Sequence, residues 1–155
     1  MKQLPQIERT VGVGLRVLLA YVFLAAGIPK FLDPTTFVES TANYDLLASF
    51  APIIAVALPP IEIAAGVALL LGPRSWRQAA TLIAFGLMCV FTYAVYQAWR
   101  RGIDVECGCF GKGSERIGLR KLAENSCLTL ATVALFAVEF RRKVRDARSS
   151  LPAGS

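Results

Sequence analysis

Two cysteines flank one glycine in Val105-Glu106-Cys107-Gly108-Cys109-Phe110-Gly111, and they are the residues best suited to chemistry in this chain. A thiolate is a nucleophile, and two thiols this close can close a disulfide. The ring is small and strained, and Gly108 can take the unusual backbone angles it needs. Strain raises the reduction potential and makes the bridge exchange readily. So short a loop has little closure entropy to remove, so the pair serves chemistry better than stapling. Two other readings stay open. The thiols can simply pack, or they can hold soft Cu(I), although no histidine or methionine-rich motif supports a metal site.

The other candidates are spread along the chain. Cys127 and Cys89 fall inside apolar runs, where a second dithiol would relay electrons from the loop; each also reads as a small buried hydrophobe. Glu124 stands three residues before Cys127, on the same helical face, and can accept a proton. Lys30 can lower a thiol pKa. Both charges also read as ordinary helix-end residues. Tyr93, Tyr96, Trp99 and Phe110 suggest an aromatic belt, or a flat slot for a quinone ring. The absence of histidine removes His-ligated haem, most catalytic zinc sites and His-based acid–base schemes.

Of the 155 residues, 55% are apolar and 18% are charged. That composition is too apolar for disorder and too sparsely charged for a coiled coil. Four runs are long enough to cross a ~30 Å bilayer core as helices: about 11–31, 49–71, 78–99 and 122–140. Their short connections predict an all-α, integral membrane, four-helix up-down bundle in a single domain, residues 1–143. The N-terminal run holds Arg16 and lacks a convincing cleavage site, so it reads as a span and not a signal peptide. Asp33-Pro34 reads as a helix cap followed by a first-turn proline. Phe37, Thr41, Tyr44 and Ala48 then share one face, which predicts a short interfacial helix in the first connection. Residues 144–155 read as a polar, disordered tail.

Charges inside a span are costly and tend to pair. Arg16 and Glu62 sit at similar depths on adjacent spans, which predicts an Arg16–Glu62 ion pair, with Pro59-Pro60 loosening the second span just above it. The net charge of +6 is explained by membrane topology and not by nucleic acid. Lys2, Arg9, Arg74, Arg77, Arg141, Arg142, Lys143, Arg145 and Arg148 fall on one side of the spans. Lys30, Arg100, Arg101, Lys112, Arg116, Arg120 and Lys121 fall on the other. The first set is larger, which favours cytoplasmic termini and an extracytoplasmic C-x-C loop.

Several stretches resemble known proteins. Arg16 followed by Ala26-Gly27-Ile28-Pro29-Lys30-Phe31 and Asp33-Pro34 resembles the first span of DoxX-like membrane proteins. Leu58-Pro59-Pro60-Ile61-Glu62, Gly66 and Leu69-Leu70-Leu71-Gly72 resemble their second. Cys107-Gly108-Cys109-Phe110-Gly111 resembles the loop of the MauE branch, named for methylamine utilisation. The resemblance spans roughly residues 11–140. It implies a four-helix protein of the bacterial inner membrane linked to thiol redox chemistry. The branch is associated with maturing a disulfide-rich periplasmic enzyme subunit alongside a thioredoxin-like partner. The architecture is also similar to the vitamin K epoxide reductase and DsbB group, which passes electrons between thiols and quinone through C-x-x-C, where this chain has C-x-C. The expected activity is thiol–disulfide exchange at Cys107 and Cys109. The rivals are a non-catalytic anchor or assembly factor of a redox complex, and a soft-metal carrier. The oligomeric state is left open.

Overall fold

The computed structural model describes residues 4–42, 51–102 and 118–149. Its elements are α1 (Leu4–Leu32), α2 (Pro34–Ala42), α3 (Ala51–Leu71), α4 (Arg74–Arg100) and α5 (Leu119–Ser149), an all-α membrane bundle. Four of them, all but α2, are long and apolar enough to cross a bilayer. A lone helix is the way a single segment satisfies its own backbone in hydrocarbon. The large side chains confirm the solvent: Tyr21, Val56, Leu71 and Leu130 point outwards and are 68–83% exposed. In water such a surface would associate or aggregate; in lipid it is the ordinary outer face.

Each long helix turns a narrow stripe inwards. On α4 the stripe is Ala80, Thr81, Ala84, Met88, Val95 and Ala98, near-heptad spacing. Leu19, Ala20, Leu69, Ala80 and Leu135 meet in one core cluster. Phe23, Ala84 and Met88 form a second, flanked by Leu87, Phe91 and Leu128. Helix α1 packs on α3, α3 on α4, α4 on α5, and α5 closes back on α1.

The connection between α1 and α2 follows the cap chemistry. Asp33 Oδ1 accepts from the Thr36 backbone N–H at 3.2 Å and from the Thr35 hydroxyl at 2.8 Å. Its Oδ2 accepts from the Thr36 hydroxyl at 2.9 Å. Pro34 then starts α2 at no cost in hydrogen bonds. The expected face includes Phe37 and Thr41 on α2, while Tyr44 and Ala48 lie outside the described residues.

Helices α1 and α3 pack closely, and the contact depends on glycine. A Cβ on Gly27 would lie 3.0 Å from the Glu62 Cβ and 3.2 Å from the Pro59 carbonyl oxygen. A Cβ on Gly66 would lie 2.9 Å from Leu24 Cγ and 3.2 Å from the Ala20 carbonyl oxygen. Small residues on both partners bring the backbones together, as van der Waals association in lipid requires. The proline pair does not break α3, which runs through Pro59 and Pro60 without interruption.

The helices extend beyond the apolar runs: α1 begins at Leu4, α4 at Arg74, and α5 continues through residues 144–149. Arg145 pairs with Glu8 there, joining the end of α5 to the start of α1.

Substituting Gly66 or Gly27 by leucine overfills the α1–α3 contact. The expected loss is about 1–3 kcal/mol of stability, read as a lower unfolding midpoint in detergent. Gly86, where an added Cβ meets nothing within 4 Å, is the control and should tolerate alanine.

Candidate functional site

Lys30 and Glu62 are buried together in the bundle, 2% and 0% exposed. The Lys30 ammonium donates to both Glu62 oxygens, at 2.8 and 3.0 Å. It also lies 5.0 Å from the centre of the Phe37 ring and 5.1 Å from that of Phe91. The faces of these rings are electron-rich and favour a cation. One ammonium thereby gathers α1, α2, α3 and α4.

This arrangement corrects the expected Arg16–Glu62 pair. Gly27 opposes Glu62 and Ile63, while Gly66 opposes Ala20 and Leu24. That antiparallel register sets Arg16 opposite the end of α3, roughly ten residues or about 15 Å from the level of Glu62. Lys30 lies only one turn beyond Gly27 and reaches Glu62 with its long stem. Arg16 pairs instead with Glu139 on α5, Nε to Oε1 at 3.6 Å. The Thr81 hydroxyl of α4, which donates to the Arg77 carbonyl at 2.8 Å, also comes within 3.4 Å of the second Glu139 oxygen.

Lys30 stands in the last turn of α1, but its ammonium is engaged by Glu62 within the bundle. Glu124 is likewise engaged. It meets Arg120 at 3.3 Å and Lys121 at 3.2 Å, both on its own helix. As a proton acceptor it would first have to leave two cations.

Comparison with known proteins places this bundle. The sequence profile described as "Methylamine utilisation protein MauE" matches residues 8–138. The chain belongs to the MauE family. A curated relative, the methylamine utilization protein MauE of Paracoccus denitrificans, is 30% identical over 132 residues, covering 83% of this chain and 70% of the relative. No solved structure matches.

In this MauE-family protein the four cysteines divide by position. Cys107 and Cys109, with Phe110, lie outside the described residues, between the end of α4 and the start of α5. Cys89 and Cys127 are free thiols on the exposed faces of α4 and α5. The contact of the Thr92 and Thr129 hydroxyls at 3.1 Å fixes the register of these helices. By that register the levels of Cys89 and Cys127 differ by five residues, about 7.5 Å. The expected second dithiol inside the bundle is not formed here: both thiols face outwards, as lipid-side residues do.

The aromatic candidates face outwards too. Tyr93 and Tyr96 are exposed on α4, and Tyr96 lies beside Trp99 with ring centres 6.4 Å apart. The Tyr93 hydroxyl accepts from the Gln97 side-chain amide at 2.7 Å. This is the geometry of an interfacial belt, and Tyr93 and Tyr96 do not line an interior slot.

Sequence reasoning missed Phe37 and Phe91 as partners of Lys30, and Glu139 and Thr81 as partners of each other. The available signal was the glycine pair. Gly27 and Gly66 state which residues of the two spans can oppose each other, and the register follows.

Removing one charge strands the other in a dry site. Lys30→Met or Glu62→Gln alone is expected to cost about 3–5 kcal/mol, measured by denaturant unfolding of detergent-solubilised protein. The double variant Lys30→Met, Glu62→Leu should recover most of that loss. A Lys30→Met protein as stable as the parent would end the structural role assigned to the pair.

Proposed function

We propose that this MauE-family protein is a membrane thiol–disulfide exchange component that works through Cys107 and Cys109. The observation that carries the reading is the Cys107-Gly108-Cys109 sequence in the segment joining the two helices α4 and α5 of a membrane bundle. A relative bears a methylamine utilisation name, and maturation of a disulfide-containing protein for that pathway is the role proposed for this chain. The short resemblances to DoxX-like proteins around Gly27 and Glu62 fit the same redox setting.

In the exchange, one thiolate attacks a partner disulfide and forms a mixed disulfide, releasing one partner thiolate. The second cysteine attacks the mixed bond, releases the partner dithiol and closes the Cys107–Cys109 bridge. Two electrons pass to the partner; the reverse direction uses the same steps. The partner is an extracytoplasmic thioredoxin-like protein; in the reverse direction, where the partner dithiol reduces the Cys107–Cys109 bridge, Cys127, the nearer of the outward-facing thiols to that end, is the candidate for passing the two electrons on to a lipid-soluble quinone, which leaves as quinol.

The proposed topology has both termini in the cytoplasm, with residues 103–117 outside a bacterial inner membrane. The gathering of Arg9, Arg16, Arg77 and Arg142 at the opposite end of the bundle supports it, because basic residues favour the cytoplasmic side.

Differential alkylation in intact cells with a membrane-impermeant maleimide tests this. The loop thiols should label from outside after mild reduction, in a mixed population that shifts with external reductant. Cys107→Ser with Cys109→Ser should abolish redox cycling of the partner. If those variants cycle the partner normally while Phe110→Ala abolishes association, the protein is an assembly factor and not an exchanger.

A further inference from the structure

The end of the bundle opposite the cysteine segment contains a cavity of about 700 Å³. Its walls come from the start of α1, the start of α4 and the end of α5. Arg9, Arg16, Arg77, Arg142 and Arg145 line it, against one carboxylate, Glu139. That carboxylate is shared between Arg16 and Thr81. Arg145 is met by Glu8, and Arg77 donates to the Gly72 carbonyl at 3.1 Å. The charge balance within the walls is therefore strongly positive.

One donor is left over: Arg142 Nη2 is buried with no hydrogen-bond partner, while Arg16 Nε faces Glu139 at 3.6 Å, an ion pair too long for a hydrogen bond. Buried N–H groups are nearly always satisfied, so an orphan donor on a cationic side chain marks a missing acceptor. The start of α4 adds to the field. Its N-cap is Pro73, which provides no side-chain cap, so the positive end of the helix dipole is open to an anion.

We infer that this cavity binds a phosphate group, held by Arg16 and Arg142 and attracted by Arg9 and the start of α4. Planar guanidinium forks match phosphate oxygens in pairs. The chemistry fits two sources: the phosphodiester of an anionic lipid in the adjoining leaflet, or a soluble phosphate compound. The inference does not depend on the thiol chemistry at the other end.

Full-length protein, purified in a neutral detergent and stripped of lipid, provides the test. Its unfolding midpoint is followed against phosphatidylglycerol in mixed micelles, against phosphatidylcholine, and against inorganic phosphate with chloride at equal ionic strength. A saturable rise with phosphatidylglycerol but not phosphatidylcholine assigns the lipid; a saturable rise with inorganic phosphate beyond chloride assigns the soluble source. Arg142→Gln should weaken the effective probe about ten- to a hundredfold. Arg9→Gln, at an exposed position, is the second variant should Arg142→Gln fail to fold, and it should weaken binding to a smaller extent. The inference is overturned if neither probe gives a saturable rise, or if the folded variants respond as the parent does.

Discussion

The contact between the Lys30 ammonium and the Glu62 carboxylate is the constraint around which the remaining helices are arranged. A buried pair is stable only when its geometry is good and both groups are satisfied. Here both oxygens of Glu62 receive the same ammonium, and two aromatic rings cover its other sides. To reach it, α3 must lie close to α1, which glycine at positions 27 and 66 permits. The short helix α2 must fold back to deliver Phe37, and α4 must present Phe91. Charge neutralisation and backbone proximity thus impose one register on four helices.

The bundle has two chemically distinct ends. At one, Arg16, Glu139 and Thr81 tie α1, α4 and α5 within a strongly basic surround. At the other, α4 and α5 lead into the segment that contains Cys107 and Cys109. The Lys30–Glu62 pair lies between them, so neither end loads the other with uncompensated charge. That separation fits the proposed topology, in which the cysteine segment and the basic end face opposite sides of the membrane.

Much of this architecture was legible in the sequence. Spans are readable because hydropathy integrates over about 20 residues and is indifferent to local detail. Helix α2 was readable because Asp33-Pro34 combines a cap with a proline that the first turn tolerates. The ion pairing was not readable from depth alone. Counting residues from the apolar boundary assumes that the two runs end level, whereas the glycine contacts set Arg16 opposite the end of α3, about ten residues from the level of Glu62. Register depends on which small residues touch, and Gly27 and Gly66 encode it more reliably than the charges do. The helical end of α5 is polar in sequence, and the Glu8–Arg145 contact there joins residues from opposite ends of the chain.

The same ion pair also has an order in time. Lys30 and Glu62 are separated by 32 residues, so a nascent chain presents the lysine to the bilayer well before its partner has been made. Until then the ammonium, in the last turn of α1, has only the interface to snorkel to. Once α3 sets Glu62 beside Gly27, the lysine can leave water for a dry site together with its counter-charge.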